Sequence, residues 1–256
     1  MTGGRRRTAL AVAVSWLATM PALAQAPPDG AAASVPPPSA GWEGSFSAGL
    51  ALTQGNRDTS TMTLGYDITR ETGGALSFKS AGTLLRGRSQ GELTANRLGL
   101  DVRGERRLSA RTSLSAQVQF LRDEFKQIDY LVSPTLGVSQ RLVTRDRTEL
   151  AVDVGVGVAF EQNPGRPVDR DGAVTAGQQF RQRLSETAEC TQKVSALWKM
   201  DDVADGLYVV GVGLSASVTS RTQIKAELLN TFKNKPPSAA VQRNDVAILL
   251  SFVYKY

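Results

Sequence analysis

Along most of the chain apolar and polar residues alternate one by one, in runs longer than the strands of an ordinary soluble sandwich. The clearest run is Thr148 to Phe160. Leu150, Val152, Val154, Val156, Val158 and Phe160 fall on one side, and Glu149, Ala151, Asp153, Gly155, Gly157 and Ala159 on the other, because successive side chains of a strand point to opposite faces. Met62, Leu64, Tyr66 and Ile68 repeat the pattern, as do Leu114 to Phe120 and Tyr208 to Val218. Each run reaches the roughly 9–11 residues that carry a tilted strand across a bilayer. The segment Asn244 to Tyr256 places Ile248, Leu250, Phe252, Tyr254 and Tyr256 on one face and Ala247, Leu249, Ser251, Val253 and Lys255 on the other. A bare hydrophobic strand edge recruits other chains, and pairing it with the first strand removes the edge. The pattern predicts an all-β, up-and-down antiparallel transmembrane β-barrel.

Twelve strands are expected, over 43–54, 59–71, 75–88, 93–107, 112–123, 130–142, 148–161, 179–188, 193–200, 207–218, 222–233 and 244–256. An even count brings both termini to one side, expected to be periplasmic. Alternation is blurred over 179–200, where a turn is read near Glu189 to Gln192, and ten strands is the alternative. Turn signals carry a repeat. Leu108-Ser-Ala-Arg-Thr-Ser-Leu114 resembles Val218-Thr-Ser-Arg-Thr-Gln-Ile224, and Val143 to Leu150 reads as the same turn with one residue more. Arg111, Arg147 and Arg221 stand one and then two steps of a common period apart, and a further step back falls at Gly74. The opposite rim carries Gly55 to Asp58, Arg88 to Gly91, Asp123 to Asp129, Glu161 to Gly177, Asp201 to Gly206 and Lys233 to Gln242. These are mostly longer, as extracellular loops are.

Ahead of the strands, Arg5, Arg6 and Arg7 precede an apolar run from Thr8 to Met20 and small residues through Ala26. That is the layout of a secretory signal peptide over 1–26, with cleavage after Ala24 or Ala26. Residues 27–40 are rich in proline and alanine without apolar periodicity and read as a disordered leader. The barrel is expected over 41–256, in the outer membrane. Removing the three leader arginines lowers the formal charge from +6 to +3, and the remaining charges are interspersed, which argues against a nucleic-acid partner. Outer-membrane lipids, lipopolysaccharide and the barrel-assembly machinery are the expected partners, and the oligomeric state is left open. The single cysteine, Cys190, has no intrachain disulfide partner.

The chain has no histidine, so Ser-His-Asp and Cys-His catalysis and histidine metal ligation are absent. No cofactor or metal motif is present. Gly155-Val-Gly157 and Gly211-Val-Gly213 sit inside alternating strands with no following helix, and read as inward glycines that relieve crowding. Arg97, Asp101, Arg103 and Glu105 share the face opposite Leu98, Leu100 and Val102. They are expected to face the lumen, because Arg or Lys at the lipid midplane costs roughly 2–4 kcal/mol. With Lys79, Asp153, Lys225 and Glu227 they are candidate lumen charges, which either select solutes or pair with one another and plug the interior. Trp42, Tyr66, Phe120, Phe160, Tyr208, Phe252, Tyr254 and Tyr256 read as interfacial aromatics near strand ends. Phe252, Tyr254 and Tyr256 are also read as the assembly signal.

Gly41-Trp42-Glu43-Gly44, then Gly49, then Thr53-Gln54-Gly55-Asn56 with Thr59 opening the next strand, resembles the first hairpin of the YdiY-like salt-induced outer membrane proteins. Lys235-Pro236-Pro237, then Asn244-Asp245 and a terminal aromatic strand, resembles their last loop and closing strand. The resemblance runs from about Trp42 to Tyr256 and implies a barrel associated with envelope or salt stress. The family is a domain of unknown function, so no catalytic residue is carried over. A non-enzymatic structural barrel or narrow passive channel is the leading expectation. A soluble periplasmic β-barrel holding an apolar ligand, and a barrel enzyme using lumen carboxylates, are the alternatives.

Overall fold

A strand with lipid on one side can satisfy its backbone only through its neighbours in the sheet. In the computed structural model of the chain, twelve strands do so in a closed ring. The structure describes residues 41–53, 58–72, 75–238 and 241–256. The expected signal peptide, the leader and the turn position at Gly74 lie outside the described residues. The strands are β1 (Trp42–Thr53), β2 (Thr59–Glu71), β3 (Leu76–Ser89), β4 (Glu92–Arg107), β5 (Thr112–Asp123), β6 (Ile128–Arg145), β7 (Thr148–Gln162), β8 (Asp169–Arg183), β9 (Ala188–Lys199), β10 (Gly206–Ser217), β11 (Thr222–Lys233) and β12 (Asn244–Lys255). Each pairs antiparallel with its sequence neighbours, and β12 closes on β1 with Ser45 opposite Lys255 and Ala48 opposite Phe252.

Twelve strands replace the alternative of ten, and two boundaries move. The turn read near Glu189 to Gln192 lies instead between β8 and β9, at Leu184 to Thr187. There Ser185 Oγ accepts from the backbone N–H of Thr187 and Ala188, at 3.2 and 3.0 Å. Ser109 Oγ does the same for Arg111 and Thr112, and Thr219 Oγ1 for Arg221 and Thr222. A hydroxyl at the second turn position thus builds three turns of one rim. The turn after β6 is different: β6 runs to Arg145 and only Asp146 and Arg147 intervene before β7, so it is tighter than the repeat suggests. On the other rim β8 begins at Asp169, well inside the expected long loop. Gln90 and Gly91, at φ 53° and 84°, alone join β3 to β4, a left-handed pair suited to a tight hairpin.

The outward face is apolar. Leu50, Leu136, Val154, Leu214, Leu250 and, at 74 % exposure, Ile248 all point away from the lumen. A soluble barrel would show a polar exterior, so that alternative fails. A continuous band of this kind belongs in lipid. Trp42, Phe78, Phe46 and Tyr256 lie at the rim that carries both termini, with Arg70 over the Trp42 ring at 5.1 Å. Trp198, Tyr208 and Phe232 cluster at the loop rim, where Trp198 Nε1 donates to Tyr208 Oη at 2.8 Å. Tyr66 departs from the girdle expectation. It lies in the interior of β2, its hydroxyl 3.1 Å from Ser80 Oγ and its ring where a Cβ on Gly82 would stand.

Inward glycines let the wall bend. The ladder between β6 and β7 skips Ser133 and Pro134, because Pro134 has no N–H to donate. Beside that gap Gly157, paired with Thr135, approaches so closely that a Cβ would overlap Pro134 O. Gly99, also inward, has nothing within 4 Å of the corresponding position. Gly157→Val is expected to cost about 1–3 kcal/mol through overpacking, read as a weaker folded, heat-modifiable band on a gel and a lowered urea midpoint. Gly99→Val should fold as the parent does.

Candidate functional site

The lumen has two parts of opposite chemistry. Toward the terminal rim it is polar. Arg103 on β4 is at its centre, with Nε 2.7 Å from Glu105 Oε1 and Nη1 3.3 Å from Asp153 Oδ1 on β7. Since β5 and β6 stand between those strands in the wall, the Arg103–Asp153 pair is a chord across the interior. Gly177 permits it, for a Cβ there would lie 2.7 Å from the Asp153 carboxylate oxygens. Glu105 also takes Lys79 Nζ at 3.2 Å. Arg103 Nη1 donates to Gln117 Oε1 at 3.3 Å, and Gln117 Nε2 donates to Asp101.

A cavity of about 100 Å³ opens beside this group, lined by Asp67, Lys79, Asp101, Arg103, Gln119, Asp153, Gln179 and Lys193 among others. The fold therefore brings Lys79, Asp101, Arg103 and Asp153 together, with Glu105 paired beside them. Lys225 and Glu227 pair with each other on β11 at 2.7 Å and do not line this cavity. Of the carboxylates an enzyme reading would use, Asp67, Asp101 and Asp153 line this cavity and Glu227 does not, and Asp153 and Glu227 are each paired with a cation.

Toward the loop rim the interior turns dry. Leu121, Ile128, Leu131, Ala159, Ala173, Leu197 and Leu207 form one buried apolar cluster inside the barrel. Above it Glu161, 2 % exposed, is held by Lys233 Nζ at 2.5 Å and Lys199 Nζ at 3.1 Å. Lys199 Nζ also reaches Asp169 at 2.7 Å, Asp205 at 3.2 Å and Asp171 at 3.5 Å. Arg97 crosses from β4 to donate to Thr231 on β11. Lys126, fully buried, comes from the 3-10 turn Glu124–Lys126, donates to Gln242 O at 2.7 Å and stands 2.9 Å from Asp245 Oδ2.

The loops continue this closure outside the strands. Arg166 donates to Pro237 O at 2.9 Å, Asn163 to Gln127 O at 2.8 Å and Asn234 to Ala204 O at 2.7 Å. Lys235 bonds Asp202, and that hydrogen bond is the main cause of a depressed Asp202 pKa. A depressed carboxyl stabilises the fold above the ordinary aspartate range, and the contribution is lost as pH falls through the lowered value. Both partners are about half exposed, so the clasp is weak and salt-sensitive.

Of the sequence candidates only Arg97 belongs to this closure; Glu161, Lys199, Lys233 and Lys126 were not anticipated. Phe252, Tyr254 and Tyr256 face outward near the end of β12, and Tyr256 stacks on Phe46 of β1 at 5.7 Å between ring centres.

Removing one partner of a buried ion pair strands the other. Glu161→Gln is expected to destabilise the barrel by about 3–5 kcal/mol, read as a lowered urea midpoint in detergent micelles. Glu149→Gln, whose pair with Arg181 is 3.9 Å long and exposed, should shift it by no more than about 1 kcal/mol.

Among solved structures the chain is similar to the KdgM porin, with a TM-score of 0.45 and 8% identity over 84% of this chain and 99% of that one. It is similar to the COG4313 outer membrane channel from Pseudomonas putida F1, with a TM-score of 0.49 and 14% identity over 84% and 95%. The translocator domain of the autotransporter NalP from Neisseria meningitidis gives a TM-score of 0.45 and 12% identity over 84% and 87%. No curated protein matches the chain. A family profile does, over residues 46–256, which take in every strand and all but the first few residues of β1. The chain therefore belongs to the family described as "Protein of unknown function, DUF481".

Proposed function

We propose that this protein is a non-enzymatic outer-membrane barrel that is closed at rest, with a polar vestibule open toward the periplasm and a sealed extracellular third. The observation that carries this reading is the dry loop-side lumen, where Arg97, Lys126 and the Glu161 group span the interior above an apolar cluster. Water and ions need a continuous polar path, and side chains at 0–3 % exposure such as Ile128, Lys126, Glu161 and Lys233 leave none at that level. The orientation follows the rims. Short hydroxyl-capped turns share one end with both termini and the longer, interlocked loops occupy the other, as in barrels whose turns are periplasmic. A structural role in the envelope under salt stress, implied by the family resemblance, is part of this proposal.

Single-channel recording in planar bilayers tests it. The parent protein should give no steady conductance, while Arg97→Ala combined with Lys126→Ala, which removes two of the spanning contacts, should give discrete openings. A steady ohmic conductance from the parent protein would overturn the closed reading.

The outward aromatics of β12 serve, in the same proposal, as the tag by which the barrel-assembly machinery takes up the chain. Replacing Phe252 and Tyr256 by serine should reduce the folded, membrane-inserted fraction in cells several-fold. Unchanged insertion counts against it.

A further inference from the structure

The lipid-facing surface carries a basic patch that no part of the lumen explains. Arg86 faces outward because Leu85 and Gly87 beside it are buried on the lumen side, and it stands opposite Asn96 of β4. Arg122 faces outward between buried Leu121 and Asp123, opposite Leu98. Arg88, carried past a register shift at Gly87/Arg88, stands opposite Ser60 of β2 on the same face. All three are exposed and lie in the last turns of their strands before the loop rim.

Charge on the lipid side is costly at the midplane, roughly 2–4 kcal/mol per arginine, and falls to about 0–1 near the interface. Three such residues on β3 and β5, the two neighbours of β4, therefore mark headgroup depth. Two other outward arginines rest on rings, Arg70 on Trp42 and Arg170 on Phe160. Among the described residues these three have neither ring nor ion pair. Of the exposed acids at this rim, Glu124 accepts from Asn96 Nδ2 at 2.8 Å, and among the described residues neither Glu92 at the start of β4 nor Asp129 on β6 forms an ion pair with the three arginines. Arg86 and Arg122 flank β4 and are offset by two residues along it, so their stems are about 12 Å apart, two strand spacings across and two residues along. A planar guanidinium grips phosphate through two parallel hydrogen bonds, and this spacing suits a headgroup bearing two phosphates.

We propose that Arg86, Arg88 and Arg122 form a binding site for a bis-phosphorylated glycolipid headgroup, that of lipopolysaccharide in the leaflet at the loop rim. The choice of leaflet rests on the orientation proposed above; the site itself does not. Phe120, outward on β5, and Phe125, exposed in the turn beyond it, extend the site with apolar surface beside the cations.

Fluorescent lipid A titrated into the refolded barrel in neutral detergent micelles tests the site. The triple variant R86Q/R88Q/R122Q should bind at least about tenfold more weakly, the loss of one charge-assisted contact or more. R86K/R88K/R122K should fall between it and the parent, and R70Q/R106Q at the other rim should bind as the parent does. Equal binding by the triple variant, equal binding of dephosphorylated lipid A, or an equal loss in R70Q/R106Q would overturn the proposal. Displacement by inorganic pyrophosphate at matching concentrations would overturn the lipid assignment in favour of free phosphate. If the triple variant does not give the heat-modifiable band, R86Q and R122Q alone should each weaken binding severalfold, and no loss in either refutes the site. Protease cleavage of the loop at residues 234–238 on intact cells reads the orientation separately, and its failure leaves the micelle result untouched.

Discussion

Every main-chain N–H and C=O inside the hydrocarbon must find its partner in the protein, because lipid offers none. Closing β1 on β12 meets that requirement for the whole wall. The seam is the shortest ladder in the barrel, with registered pairs only from Ser45–Lys255 to Ala48–Phe252. It is reinforced at the terminal rim, where Tyr256 N–H donates to Gly44 O at 3.1 Å and the Tyr256 ring stacks on Phe46. Gly44 leaves the space that ring occupies. A side chain there would push the terminal aromatic off the seam.

Once the wall is closed, its outer face must be apolar and its inner face is free to be anything that packs. The inner face divides. Toward the termini it holds a polar network in which Lys79 is partly exposed while Glu105 and Arg103 are nearly buried and hold one another. Toward the loops it holds Glu161, Lys199 and Lys233 out of water, where desolvation opposes the attraction and the arrangement survives by satisfying each charge more than once. A hydrophobic replacement of the whole group could be as stable. What the ions add is a fixed geometry joining β7, β8, β9, β11 and the β9–β10 loop, which apolar contacts alone would leave free to slide.

Strict alternation made most strands legible in the sequence, since one face met lipid and the other met small or polar neighbours. Alternation fades where both faces are apolar, as at Leu131-Val132, Ala196-Leu197-Trp198, Leu207-Tyr208 and Leu249-Leu250, and that blur was itself the sign of a dry interior. The turn at Leu184-Ser-Glu-Thr187 shares its hydroxyl with Ser109 and Thr219, so the repeat could have located it. The charged run Asp169-Arg-Asp171 hid the start of β8, because its carboxylates look like loop residues until Lys199 is placed against them. Cross-barrel pairs such as Arg103–Asp153 and Arg97–Thr231 depend on strands that are not neighbours in the wall. No periodicity records them.

The division of the lumen also fixes where an electrical potential would be felt. In the closed barrel proposed above, the dry segment toward the loop rim resists ions most, so any voltage across the membrane falls most steeply there. Moving one elementary charge through that drop is worth about 2.3 kcal/mol per 100 mV. Lys199, Lys233 and Glu161 lie within it, so in that closed barrel these charges would feel the field more than those of the terminal half.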